Sequence, residues 1–145
     1  MENMNRQEAL DFIMQGTRTG KLASVRTDSR PHVVPIWFVV DEDELIFNTW
    51  HKSVKARNIK HNPNVAISVD EQAPPYAFVM IEGTATLDEG TPESRLEVAT
   101  KIGGRYMGQD RAEEFGQRNS VEGEYIVRVK IDKVIGKKDV AGYSE

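Results

Sequence analysis

Cysteine is absent from all 145 residues, which excludes disulfides, thiolate metal sites and thiol nucleophiles. No apolar run approaches the roughly 20 residues of a membrane-spanning helix. The N-terminal MENMNRQEAL is polar and then amphipathic, unlike a secretory leader. Both features fit a reducing cytoplasm, the expected location. Histidine is scarce: His32, His51 and His61 are the whole set, with no helical i, i+4 pair among them, so no metal site is expected. There is no Gly-rich dinucleotide turn, no P-loop and no Gly-x-Ser-x-Gly elbow. Cations are outnumbered by acids, 19 to 23, and a net charge of -4 argues against a nucleic-acid surface.

The most informative absence is local. Between Leu45 and Val69 there is no acidic residue, and the middle reads HKSVKARNIKH over residues 51–61. That run has the pattern of a helix start. The N-terminus of a helix carries partial positive charge and unpaired N–H groups, so lysines there are unfavourable unless an anion sits over them. Backbone N–H groups, the Ser53 hydroxyl and the side chains of Lys52 and Lys55, with Arg57 a turn further on, make a candidate phosphate cradle. The same run read without a ligand is a solvated basic face.

The rest of the chain is one domain's worth of sequence, residues 1–145, with ordinary apolar and charged proportions. Asn5 and Glu8 form a capping-box pattern ahead of Ala9, Leu10, Ile13 and Met14, and Gly16 ends that helix. Strands are expected at 20–27, 32–40, 45–49, 65–69, 76–87 and 124–131. The 32–40 stretch, HVVPIWFVV, is nearly all apolar and reads as covered on both faces. Pro35 in its middle belongs at a sheet edge or at a bulge. In 76–87, Ala77, Val79, Ile81, Ala85 and Leu87 share one face, and Gly83 marks a bulge or a close approach. In 124–131, Tyr125, Val127, Val129 and Ile131 point inward. Thr91-Pro92-Glu93 opens a helix to about residue 101, Gly103-Gly104 interrupts it, and a shorter helix spans 109–117. Six short strands with hairpin-length turns predict a mainly β barrel or sandwich with flanking helices.

Asn48 and Thr49 close the strand that enters the basic helix, and Trp37, Trp50 and Tyr76 offer flat apolar surface, although each taken singly reads as core packing. A phosphate cradle beside flat aromatics suits a planar phosphorylated cofactor such as a flavin.

At this point the sequence resembles a known family. RPHVVPIWF, LIFNTWHKSVKARNIKHNPNVAISVD and PPYAFVMIEGTATL, within a span of roughly 10–135, resemble the pyridoxamine-phosphate-oxidase-like split-barrel superfamily of flavin and deazaflavin proteins. The VPIWF and KSVKARN forms look closest to the branch that uses the deazaflavin coenzyme F-420. The resemblance implies a six-stranded split β-barrel and a homodimer with two cofactor sites between the subunits. It implies that Lys52, Ser53, Lys55 and Arg57 hold the cofactor phosphate, with Asn48 and Thr49 at its border. Val34, Pro35, Ile36 and Trp37 would lie beside the ring system, and Tyr76 would reach in from the neighbouring subunit. Arg57 and Lys60 would meet the trailing carboxylates of F-420. The chain lacks the Arg and Lys of the true oxidases on the 33–38 strand, their Ser-Arg-Lys run and their C-terminal arginine segment, which speaks against pyridoxamine-phosphate oxidation. The expected activity is hydride transfer from reduced F-420 to a small electron-poor substrate. The alternatives are an FMN-dependent reductase or oxidase, and a non-catalytic cofactor- or tetrapyrrole-binding protein. No nucleic-acid or membrane partner is expected.

Overall fold

The computed structural model describes residues 1–142, in which eight strands and four α-helices alternate. The strands are β1 (Glu2–Met4), β2 (Gly20–Val25), β3 (Pro31–Ile36), β4 (Val39–Asp41), β5 (Glu44–Trp50), β6 (Asn64–Glu71), β7 (Ala77–Asp88) and β8 (Glu124–Lys138). The helices are α1 (Arg6–Met14), α2 (Val54–His61), α3 (Pro92–Met107) and α4 (Ala112–Arg118). All pairings are antiparallel, in the order β3-β2-β6-β7-β8-β5-β4, with β1 added on the distal half of β8.

The expected six strands are therefore eight, and the ladder is not closed. β1 escapes a sequence reading because ENM carries no strand pattern; pairing of Glu2 with Lys138 and Met4 with Gly136 makes it one. The expected 32–40 strand is two strands, and they lie at opposite ends of the ladder. Trp37 and Phe38 carry the chain from one end to the other. The three Cα steps from Ile36 to Val39 reach at most roughly 11 Å, so the sheet must curl until its two edges meet. Phe38 breaks the strand because its backbone is claimed by α3: its N–H donates to the Tyr106 hydroxyl at 3.2 Å, and its carbonyl accepts from Arg105 Nη1 at 2.6 Å. Arg105 also donates to the carbonyls of Ile13 at 2.7 Å and Gly16 at 3.0 Å, and the Tyr106 hydroxyl donates to Arg18 O at 2.8 Å. The guanidinium lies over the Phe38 ring at 4.6 Å.

β3 is an edge strand, paired on one side only, so its outer face is not covered: Val33 is 65% exposed. Pro35 occupies that edge in unbroken register opposite Lys21, and there is no bulge at this point. The bulge is where Gly83 stands. Register shifts between Glu82 and Gly83, and a Cβ at 83 would come within 2.6 Å of the Lys130 carbonyl.

The core fills the curl. Leu22, Ile67, Val69, Val79, Ile81, Val127 and Val129 are fully buried, and Phe12 and Ile13 of α1 and Ile59 of α2 pack onto the same cluster. The predicted inward face of β7 is inward, as is that of β8. The capping box at Asn5 and the N-cap at Thr91 form as the sequence indicates, and Thr91 also makes a capping box with Ser94. α3, however, runs straight through Gly103-Gly104. The glycines serve contact rather than termination: a Cβ on Gly103 would sit 2.7 Å from the Phe115 Cβ of α4.

Arg105→Ala leaves the carbonyls of Ile13, Gly16 and Phe38 without their shared donor, and is expected to destabilise the fold by about 3 kcal/mol in urea unfolding. Arg105→Lys should recover little of that, because one ammonium cannot reproduce the fork.

Candidate functional site

β5 runs out at Trp50, and the turn into α2 is fixed by local hydrogen bonds. The His51 N–H donates to Gly123 O at 2.8 Å, its Nδ1 approaches the same carbonyl at 3.1 Å, and Ser53 N–H donates to Trp50 O at 2.9 Å. Gly123 has φ 101°, and a Cβ there would strike the Trp50 ring at 2.7 Å. Ser53 is the N-cap of α2: its hydroxyl accepts from Ala56 N–H at 3.1 Å. The same oxygen lies 2.8 Å from the Thr49 hydroxyl. Two hydroxyls carry two protons and one is used between them, which leaves one for a ligand. Ser53 thus sets the helix start as much as it faces outward. The N–H groups of Val54 and Lys55, the first two of the helix, have no acceptor within it.

Thr49 is buried, Asn48 and Lys55 are partly buried, and Lys52 is exposed. Thr49 joins Lys52, Ser53 and Lys55 at the start of α2 through its bond to Ser53, and Asn48 precedes it on β5. Arg57 does not join them. Two residues beyond Lys55 it points to the other side of the helix, exposed like Lys60. Among the described residues, none of Lys52, Lys55, Arg57 and Lys60 has an acidic partner within 4 Å, whereas Arg18, Lys21, Lys101, Arg111, Arg128 and Lys138 are all paired. Burial lowers the Lys55 ammonium from its ordinary value, and the charge of Glu124 works in the opposite direction. Glu124, brought opposite Trp50 by the β5–β8 register, is pushed up by burial against the pull of Lys55 and His51. A cleft of 580 Å³ lies beside this turn, lined by His51, Arg95, Glu124 and Tyr125 among others.

The 34–37 stretch is distributed differently from expectation. Val34 packs on the core and Ile36 is buried, so only Pro35 and the unpaired edge of β3 face outward. Trp37 stacks on Tyr106 at 5.1 Å and 5°, with Phe115 at 6.1 Å. It stands five strand residues from His32, roughly 17 Å, and belongs to the α3–α4 side. Tyr76 follows β6 and precedes β7, at the far end of β6 from α2, roughly 23 Å of strand away. Within one copy of the chain it does not reach the cradle.

Three residues near α2 carried no local signal. Glu124 arrives by long-range register. His32 arrives by the β2–β3 hairpin, which places it opposite Ser24, and Arg26 follows at the end of β2. Among the described residues no cluster of three His, Cys, Asp or Glu side chains is placed to hold a metal, and no helix is long and apolar enough to cross a membrane.

This fold has known counterparts. Residues 6–138 match the family described as pyridoxamine 5'-phosphate oxidase, and the chain belongs to that family. Among solved structures it is similar to a conserved hypothetical protein, Rv2991, of Mycobacterium tuberculosis, with 26% identity, TM-score 0.81, and coverage of 98% of this chain and 90% of that one. It is also similar to an F-420 reductase, with 27% identity, TM-score 0.66, and coverage of 86% and 94%. HutZ, a heme storage protein of Vibrio cholerae, shares the fold at 21% identity and TM-score 0.69, covering 90% of this chain and 94% of that one.

The raised Glu124 carboxyl means that the folded protein holds this proton to higher pH than the unfolded chain. Its contribution to stability is therefore full at low pH and is lost as pH rises through the carboxylate range. Glu124→Gln should match the parent in thermal unfolding at about pH 4 and exceed it by about 1–2 °C at pH 7. A lower midpoint at pH 7 would mean that attraction to Lys55 outweighs the burial.

Proposed function

We propose that the protein is an oxidoreductase that holds the deazaflavin coenzyme F-420 at the start of α2 and delivers a hydride to a small electron-poor organic substrate. The observation that carries this reading is the set of unpaired cations around a capped helix start whose first two N–H groups are free. A phosphate fits there. The N–H groups of Val54 and Lys55 donate to it, the spare proton of the Thr49–Ser53 hydroxyl pair donates to it, and Lys52 and Lys55 neutralise it. Arg57 and Lys60, on the other side of α2, suit an anionic tail beyond the phosphate, and this favours F-420 over the shorter FMN. The 27% identity with an F-420 reductase supports the same choice.

Bound in reduced form, the coenzyme supplies the hydride. The chain positions it: the cradle anchors the phosphate, and the unpaired edge of β3 at Pro35 offers backbone groups to a ring laid along it. Asn48 borders the site. We assign the balancing proton to water.

One copy of the chain leaves the site roofless. Val33, Trp50 and Val54 are exposed apolar side chains around it, and Tyr76 lies at the opposite end of β6. We infer that the working unit is a homodimer, in which Tyr76 of one copy faces the cradle of the other. A cytoplasmic setting is consistent with the cysteine-free sequence. Nothing in the reading calls for a nucleic acid or a membrane, and the absent oxidase arginines leave pyridoxamine phosphate without its expected holders.

Lys55→Ala should weaken F-420 binding at least tenfold, about 1.4 kcal/mol, in a fluorescence titration at fixed salt. Unchanged affinity in a folded variant would overturn the cradle assignment. Tight binding without oxidation of the reduced coenzyme by any quinone, tetrapyrrole or nitroaromatic acceptor would favour the storage alternative.

A further inference from the structure

Beneath the start of α2 lies a titratable side chain that the proposed reading does not use. His32 stands on the inward face of β3, directly across from Ser24 of β2. The Ser24 hydroxyl is buried and accepts from Asn58 Nδ2 of α2 at 3.0 Å. Asn58 follows Lys55 by three residues, on the same side of the helix. The hairpin register and the Ser24–Asn58 bond therefore bring His32 under the partly buried Lys55. The Nδ1 atom of His32 is shielded from solvent and has no hydrogen-bond partner. Native proteins rarely leave a buried polar atom in that state, and the usual explanation is a water, ion or ligand that completes it.

The charges around the ring are of one sign. Arg26 stands at the end of β2, Lys55 on α2, and the positive end of the helix dipole points the same way. In the β2–β3 turn, Asp28 is engaged with Arg30 at 3.6 Å. On β8, Glu124 is set against Lys55 and His51. Burial first, then Arg26 and then Lys55 hold the imidazole below its ordinary value.

We propose that His32 is a proton-linked member of the anion site, neutral while no anion is present and protonated when a phosphate or sulfate group sits over Lys55 and the first N–H groups of α2. The proposal rests on the reading of that helix start as an anion cradle. An anion there cancels the repulsion from Lys55 and Arg26 and gives the second ring proton an acceptor in its field. Coupling between two bound species is reciprocal, so the proton taken up by His32 must in turn tighten the anion. The protein would then bind its anionic ligand more firmly as pH falls, through a residue outside the helix that holds it.

The test is a histidine-ring NMR titration of the intact protein from about pH 5 to 8.5, with and without saturating sulfate, which keeps its two charges across that range. Only three histidines are present, and His32→Asn assigns the signal. The expected result is a His32 midpoint that rises by about one pH unit with sulfate, and sulfate affinity up to tenfold tighter at low than at high pH. His51 and His61 should move less. Should His32→Asn fail to fold, through-bond assignment of the parent protein gives the same readout. A His32 midpoint unmoved at sulfate concentrations that saturate the Lys55 signals overturns the proposal, as does absence of sulfate binding at every signal. Loss of F-420 binding in Lys55→Ala with His32 unmoved sinks this inference and leaves the cofactor reading standing. A sulfate-linked shift without affinity for F-420 or FMN does the reverse.

Discussion

The two-residue step through Trp37 and Phe38 is the constraint on which this structure depends. It joins strands at opposite ends of one antiparallel ladder, so the sheet must bend round until β3 and β4 are neighbours in space. The seam so formed has no ladder hydrogen bonds. Its backbone groups are taken instead by Arg105 and Tyr106 of α3, which also bind the end of α1 and the start of β2. A single guanidinium thereby ties α3 to the end of α1 and to Phe38, segments far apart in sequence. Three charge-assisted bonds to backbone carbonyls, those of Ile13 and Phe38 partly buried, make it costly to replace.

The candidate site lies at the other end of β2 and β3 from that seam. α2 packs against β2, β5 and β7, and the β5–β8 register fixes the turn that launches it. The four cations of residues 52–60 are left without acidic partners within 4 Å among the described residues, whereas Arg18, Lys21, Lys101, Arg111, Arg128 and Lys138 are paired. In the proposed reading an anion is the counterpart of those four. Glu124 and His32 refine this picture in opposite senses. Glu124 is a carboxylate whose burial resists ionisation close to the cradle. His32 is a base held below its ordinary value by burial and by the charges of Arg26 and Lys55.

Much of the fold was legible in the sequence because it is locally encoded. The capping box at Asn5, the N-cap at Thr91, the alternation in 76–87 and 124–131, and the glycine at 83 all act through neighbours within a few residues or through period two. What was not legible depends on partners distant in the chain. β1 exists only because β8 continues past Ile131. The break at Phe38 exists only because Arg105 and Tyr106 reach it. Gly103-Gly104 looked like a helix end because glycine is a poor helix former, but close packing against Phe115 outweighs that propensity. The site divides in the same way. Lys52, Ser53 and Lys55 were visible as a charge run ahead of a helix. Arg57 followed them in sequence but turns away by helix geometry, and Trp37 proved to be a partner of Tyr106. Glu124 and His32 had no local signature.

The central claim is that the start of α2 binds a phosphorylated deazaflavin. Its most direct test uses Trp50, which is 43% exposed and tilted against the His51 ring at the turn into α2. With Trp37 replaced by Phe to remove the second indole, quenching of Trp50 by F-420 and by FMN would be titrated in parallel at one salt concentration. The account predicts dissociation in the micromolar range or tighter for F-420, with FMN at least about tenfold weaker. Tighter binding of FMN, or no quenching by either, would contradict it.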